Sequence, residues 1–283
     1  MKRFALLISI IGVTLLMISA CDKLEGPFLE PTGGGNDTVI AEKIVLLEEY
    51  TGHQCPNCPR GAIAVNNILA TYGKRVVAVA VHAGFYARVS PGTPFTADYR
   101  TDAGATYDQF FGINGIIPRG MVNRTGYGSP ELLLNPDEFA GKVSIALAAE
   151  PVAALQITVQ YNSQTRICNI STQINFLQHI TDPINLSVWI VEDSIVSPQK
   201  NAIVELGPDI IHDYVHRHVF RGAVNGTWGQ VIDAQALPGT STVLTSQITL
   251  HSSWNPNHCS IVAFVYNSET YEVLQAAEIK IIE

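Results

Sequence analysis

The hydrophobic positions change rhythm three times along the chain. Phe4 to Met17 is a mostly apolar stretch directly after Lys2 and Arg3. Lys43 to Tyr50 (KIVLLEEY) is a compact apolar run with β-branched residues, which predicts a buried strand. Thr51-Gly52 breaks it, and Ala62 to Tyr72 then repeats at helical spacing. Arg75 to His82 (RVVAVAVH) has no polar interior and predicts a second buried strand. Phe139 to Ala149 predicts a last helix, ended by Glu150-Pro151. From Pro151 the helical spacing stops. Alternating runs follow at Val152–Tyr161, Cys168–Leu177, Ile184–Glu192, Val215–Gly222, Val243–Leu250, Cys259–Tyr266 and Val273–Ile281. Turn signals such as Asn162-Ser163, Asp182-Pro183 and Asn255-Pro256-Asn257 separate them. This pattern predicts an α/β domain over 43–150 and an all-β, immunoglobulin-like sandwich over 151–283.

The first 42 residues carry no fold signal. A positive start, a short apolar core and the small residues before Cys21 are the marks of an export signal over 1–20. The apolar stretch is shorter than the roughly 20 residues a spanning helix needs. Ile18-Ser19-Ala20-Cys21 resembles a bacterial lipobox. That resemblance implies a lipid on Cys21 and membrane attachment through it. Residues 21–42, with Pro27, Pro31 and Gly33-Gly34-Gly35, read as a flexible tether. Such a tether spans about 25 Å.

Between the first strand and the helix stands Cys55-Pro56-Asn57-Cys58. Two cysteines at this spacing close a small ring. At a helix start, unpaired N–H groups and the macrodipole favour a thiolate, the attacking species in thiol–disulfide chemistry. Cys55 is therefore the candidate nucleophile and Cys58 the resolving thiol. His53 is placed to act as a nearby cation. The same spacing also serves a structural disulfide or half of a zinc site. Zinc would call for a second such pair, and the sequence has none. Strand alternation puts Glu48 and Glu49 on opposite faces of a strand whose faces are both apolar, so one of the two acids is expected to be buried.

Strand, C-x-x-C, helix, strand resembles the thioredoxin fold. The stretch Gly112-Ile113-Asn114-Gly115-Ile116-Ile117-Pro118 is similar to that family's Gly-Ile-x-Gly-Ile-Pro segment. The resemblance implies that Pro118 is cis and packs beside the disulfide. It also implies that backbone near Ile117 receives extended peptide, with His53, Pro56 and Asn57 bordering the groove. Glu49, six residues before Cys55, matches the family's buried acid and would take the proton from Cys58 as that thiol attacks. The chain departs from the family at Gln54, where a tryptophan is usual, and in the Pro56-Asn57 pair, which leaves the redox direction open. An insertion over Gly84–Asp108 offers Tyr86, Phe95, Tyr99 and Tyr107 as an apolar lip or as core cover.

Composition narrows the functional classes. With 47% hydrophobic and 15% charged residues, the chain is too apolar for a disordered protein. A net charge of −8 argues against nucleic acid as a partner. Five cysteines divide into Cys21, the Cys55/Cys58 pair, and Cys168 with Cys259. The last two point inward on their strands and either form a bridge between sheets or stay as buried free thiols. His212, His216 and His218 would share one face of a strand and form a weak metal candidate. Thr51–Pro59, Tyr214–Gly222 and Cys259–Tyr266 together resemble the outer membrane protein 28-related lipoproteins of Gram-negative bacteria. That resemblance implies an outer-membrane location, facing the periplasm or the cell surface.

Two functions follow as expectations. One is thiol–disulfide exchange on exported proteins or with a redox partner, needing no cofactor. The other is a binding or adhesion role in which the C-x-x-C part is a scaffold. A buried Cys55 sulfur would favour the second.

Overall fold

The computed structural model describes residues 42–233 and 235–282. The export signal, Cys21 and the tether up to residue 41 lie outside the described residues. The two apolar runs become β1 (Val45–Thr51) and β2 (Val76–His82), every residue of both buried. They pair in parallel, Val45 opposite Val76 through Thr51 opposite His82. A parallel pair needs a crossover, and α1 (Pro59–Tyr72) supplies it. α1 begins with Pro59 at its first position, where the missing N–H costs nothing.

The Gly84–Asp108 insertion leads into α2 (Asp102–Phe110), capped by Thr101, whose hydroxyl accepts from the Gly104 N–H at 2.9 Å. β3 (Arg119–Val122) then pairs antiparallel with β1. α3 (Phe139–Leu147) packs with α1 over one face of these strands, around Val45, Leu47, Val65, Ile68, Phe139 and Val143.

The second half is β throughout. β4 (Ala153–Asn162), β5 (Ile167–Phe176) and β13 (Ser241–Thr249) form a three-stranded antiparallel sheet. β6 (Ile184–Glu192), β14 (Cys259–Asn267) and β15 (Val273–Lys280) form the layer facing it. Ile170, Ile174 and Phe176 of one layer meet Val188, Ile190, Ile261 and Val265 of the other. The β-rich class and the two-layer packing are as expected.

One feature differs from the expected pair of separate units. β11 (Val219–Ala223) pairs antiparallel with β6 and in parallel with β2, Val219 opposite Ala80. The large sheet therefore runs β15-β14-β6-β11-β2-β1-β3 across the Glu150-Pro151 junction. That junction changes the sequence pattern without separating the packing. A large aromatic core, with Tyr107, Phe111, Trp189, Phe220 and Phe264, covers the face of this sheet opposite α1 and α3.

The run expected as one strand over Val215–Gly222 is broken. Val215–His216 is a short strand β10, and His218 has φ of 53° before β11 begins. His212 is exposed in a turn while His216 is buried. The three histidines do not share a face, and no group of metal-ligating side chains forms among the described residues.

Candidate functional site

The expected site residues converge at the C-terminal end of β1. Cys55 and Cys58 are joined in a disulfide, and Cys58 is the residue that caps α1. The Ile117–Pro118 peptide is cis. Cys55 Sγ lies 3.8 Å from the Ile117 carbonyl oxygen. An open groove of about 620 Å³ runs past this edge, lined among others by Asn57, Arg60, Ile63, Ile117, Pro118 and Ile203.

Both acids of β1 are buried, not one: Glu48 is 0% and Glu49 is 4% exposed. Glu48 faces the aromatic core and meets Arg124, with Nε and Nη2 at 2.7 and 3.0 Å. Glu49 faces α1, and its Oε1 has no hydrogen-bond partner. Burial raises its pKa from 4.5 to about 8, so it is protonated at neutral pH. Glu49 and Cys58 line one small cavity.

Gly61, one turn into α1, makes room for that carboxyl. A Cβ there would overlap Glu49 Oε1 and approach Pro118 Cβ to 3.2 Å. Nothing in the sequence marks Gly61, since one glycine after a C-x-x-C motif has no signature of its own.

His53 is a correction. It is buried, its Nε2 lies 3.0 Å from the Arg88 carbonyl oxygen, and its ring stacks on Phe95 at 5.5 Å. Burial lowers its pKa. It is neutral and orients the loop, so it offers no cation to Cys55. Phe95, Tyr99 and Tyr107 are likewise buried, which makes the insertion a cover for the core more than a lip.

Of the two alternatives for Cys168 and Cys259, the structure has the second: both are free, buried thiols, and the candidate bridge between the sheets is not formed. Their burial pushes the pKa values to about 11 and about 12, which keeps them as inert thiols.

A hairpin from the second half lies over the disulfide. It forms between β6 and β10 from β8 (Gln199–Lys200) and β9 (Ile210–Ile211). Its first strand lies along the motif loop. The Lys200 N–H donates to the His53 carbonyl and the Ala202 N–H to the Pro56 carbonyl, each at 2.8 Å. The Gln199 side-chain amide donates to the Cys55 carbonyl at 2.9 Å. Asn201 ties the hairpin to itself, its amide donating to Ile203, Gly207 and Pro208 carbonyls. Under this cover Cys55 is 3% and Cys58 2% exposed. One signal was available: the 22 residues between the expected strands ending at Glu192 and starting at Val215. Connections of that length inside a compact domain usually carry structure or function.

A family model, Outer membrane protein Omp28, matches residues 104–283. The chain belongs to this outer membrane protein family. The expected outer-membrane location is thereby borne out, while Cys21, the expected lipid site, lies outside the described residues. The match leaves out the C-x-x-C motif and Glu49 but includes the cis-proline segment, the covering hairpin and every β-strand of the second half.

Among solved structures, HBP35 of Porphyromonas gingivalis is similar, with a TM-score of 0.65 and 19% identity over 84% of this chain and 75% of that one. Protein AGR_C_4864 from Agrobacterium tumefaciens is similar with a TM-score of 0.51 and 12% identity, over 86% of this chain and 97% of that one. At such identities the likeness concerns the fold. A domain of the outer membrane lipoprotein Omp28 from Porphyromonas gingivalis matches 47% of this chain and 91% of its own, with 22% identity and a TM-score of 0.34. Comparison with curated proteins returns no match.

Proposed function

We propose that this outer membrane protein carries out thiol–disulfide exchange on exported proteins. In this reading the β1–α1–β2–β3–α3 part is a thioredoxin-like unit, and the 199–211 hairpin is a cover that a partner lifts. The observation that carries the reading is Glu49. A buried carboxyl without a hydrogen-bond partner costs stability. A purely structural disulfide has no use for it. A disulfide that must release a thiolate does, because Glu49 holds a proton at neutral pH beside Cys58.

The step starts from the oxidised pair. A substrate thiolate attacks Cys55 Sγ, and the Cys55–Cys58 bond breaks. Cys58 leaves as a thiolate and takes the proton of the Glu49 carboxyl. A second substrate thiolate then attacks the substrate sulfur of the mixed disulfide, and Cys55 leaves as a thiolate. The substrate loses two electrons and gains a disulfide; the pair gains them. The reverse direction uses the same groups, with Glu49 as base. The groove along Ile117 and Pro118 would hold the substrate in extended form.

One observation favours the scaffold reading: both sulfurs are covered. The same experiments separate the two. Exchange with a reduced exported peptide is measured for wild type, Cys55→Ser and Glu49→Gln. The proposal expects no exchange by Cys55→Ser and a loss of about 10²-fold for Glu49→Gln, the usual scale of a general acid. Equal rates in wild type and Cys55→Ser, or a pair potential below about −300 mV, would establish the disulfide as structural.

A further inference from the structure

The cavity behind the disulfide is built from both halves of the chain. Glu49 comes from β1, Cys58 and Asn66 from α1, His82 from the end of β2, and Gln199, Tyr214, His216 and His218 from the second half. Four of its side chains have a buried polar atom with no protein partner: Glu49 Oε1, His82 Nδ1, His216 Nε2 and His218 Nδ1. Buried polar groups are nearly always satisfied, and where protein atoms fail to do so ordered water does. The cavity measures about 40 Å³, and a water needs roughly 10–15 Å³ of such space. It therefore has room for about three.

One side of the cavity reaches the surface. Val215 and Arg217, the chain neighbours of His216, line the cavity and are exposed, whereas His216 is buried between them. The His216 and His82 rings lie 5.6 Å apart, and Tyr214 lies against His216 at 4.9 Å.

We propose that waters in this cavity, with His216 as the gatekeeper, form the proton conduit between Glu49 and solvent. This rests on the exchange function proposed above. Once Cys58 has taken the Glu49 proton, a bare carboxylate is left in the interior, where a pKa of about 8 favours uptake of a proton from solvent; when the pair is reoxidised, Glu49 must shed that proton to receive the one on Cys58. α1, the disulfide and the hairpin block the direct way. A neutral imidazole accepts a proton on one ring nitrogen and releases one from the other, so His216 passes it without lasting charge. Burial lowers the pKa of His216 to about 4 and that of His82 well below its usual value, so both are neutral at work. The titratable and charged groups around the conduit are Glu49 and His53 on the β1 side, His82 on β2, Tyr99 from the insertion, Tyr214, Arg217 and His218 beside β10, and Arg221 on β11. His218 Nδ1 lies 3.7 Å from Asp193 Oδ1, too far for a hydrogen bond, so it too is open to water in the cavity. The second half thus supplies proton-transfer groups to cysteines of the first.

The test reads the Glu49 proton directly and needs no turnover. Infrared difference spectra of wild type against Glu49→Gln give the carboxyl C=O band of protonated Glu49 below pH 8. Transfer to D₂O shifts this band as the proton exchanges. The conduit expects exchange at least about tenfold slower both in His216→Phe, which substitutes an apolar ring, and in His216→Asn, whose amide hydrogen-bonds water but has no basic nitrogen to pass a proton. His82→Phe provides a second blocked variant if His216→Phe fails to fold. Exchange as fast as wild type in a folded His216→Phe or His82→Phe protein would overturn the conduit, as would absence of the band at pH 6. Loss of the redox function shows elsewhere: a wild type inactive on reduced peptide, with the tenfold difference intact, removes the function and leaves the water path.

Discussion

Glu48 and Glu49 are neighbours on one strand, equally hidden from water, and the protein treats them in opposite ways. Glu48 receives two hydrogen bonds from Arg124. The guanidinium carbon itself sits 4.8 Å from the Phe111 ring centroid and 5.1 Å from that of Phe264. Charge, directional hydrogen bonds and aromatic faces together compensate the lost hydration. Glu49 has no cation, and its surroundings keep it uncharged by raising its pKa to about 8. A buried acid can thus be kept by pairing it or by leaving it protonated. The first is a structural device at the seam where the two halves meet. The second stores a proton beside a disulfide.

The largest effect should come from breaking the paired side. Arg124→Met leaves Glu48 buried without its cation, which costs about 3–5 kcal/mol. The double variant Glu48→Leu with Arg124→Met should recover most of that loss, because two apolar side chains replace two charges. Urea unfolding of the three proteins gives the coupling. A loss under about 1 kcal/mol for Arg124→Met would mean that Glu48 finds water or another donor, and the contrast with Glu49 would collapse.

The unpaired side should respond next, and with the opposite sign. Glu49 holds its proton up to about pH 8 when folded and releases it near 4.5 when unfolded. Between those values the native state binds more protons. Stability is therefore full below about pH 4.5, falls as pH rises through that window by up to about 1.4 kcal/mol per unit, and levels off above pH 8. Glu49→Gln should flatten that slope and make the protein more stable at pH 7, while slowing exchange. Parallel pH slopes in the two proteins would show Glu49 to be ionised, and its contrast with Glu48 would be one of degree.

How much of this was legible beforehand follows the range of the forces involved. β1, α1 and β2 were readable because their apolar runs are local and bounded by Gly52 and the C-x-x-C. Six of the seven β-runs of the second half fell within two residues of their strands for the same reason. Opposite faces for Glu48 and Glu49 follow from a period of two. The pairing of Glu48 did not, because Arg124 lies 76 residues away in sequence. The shared sheet was hidden too, since it depends on a parallel contact between Val219 and Ala80. The covering hairpin is held by backbone donors at Lys200 and Ala202, and backbone hydrogen bonds leave no mark in side-chain pattern. Whether Cys168 and Cys259 are bridged was open for a related reason: alternation gives the inward face of a strand but not the distance between strands.

The smallest of the three effects isolates the space around the Glu49 carboxyl. Gly61→Ala places a methyl group where Oε1 stands. The helix backbone gains from alanine, yet the collision dominates, so a net loss of about 1–3 kcal/mol is expected. Gly141→Ala in α3 is the matched control, since a Cβ there meets nothing within 4 Å. It should stabilise by about 0.5–1 kcal/mol. Thermal unfolding of the two variants reads the difference. Combining Gly61→Ala with Glu49→Ala should restore stability, as the methyl then fills the vacated space, while leaving Cys58 without its acid. A Gly61→Ala protein as stable as Gly141→Ala would place the Glu49 carboxyl elsewhere, and the stored proton would lose its address.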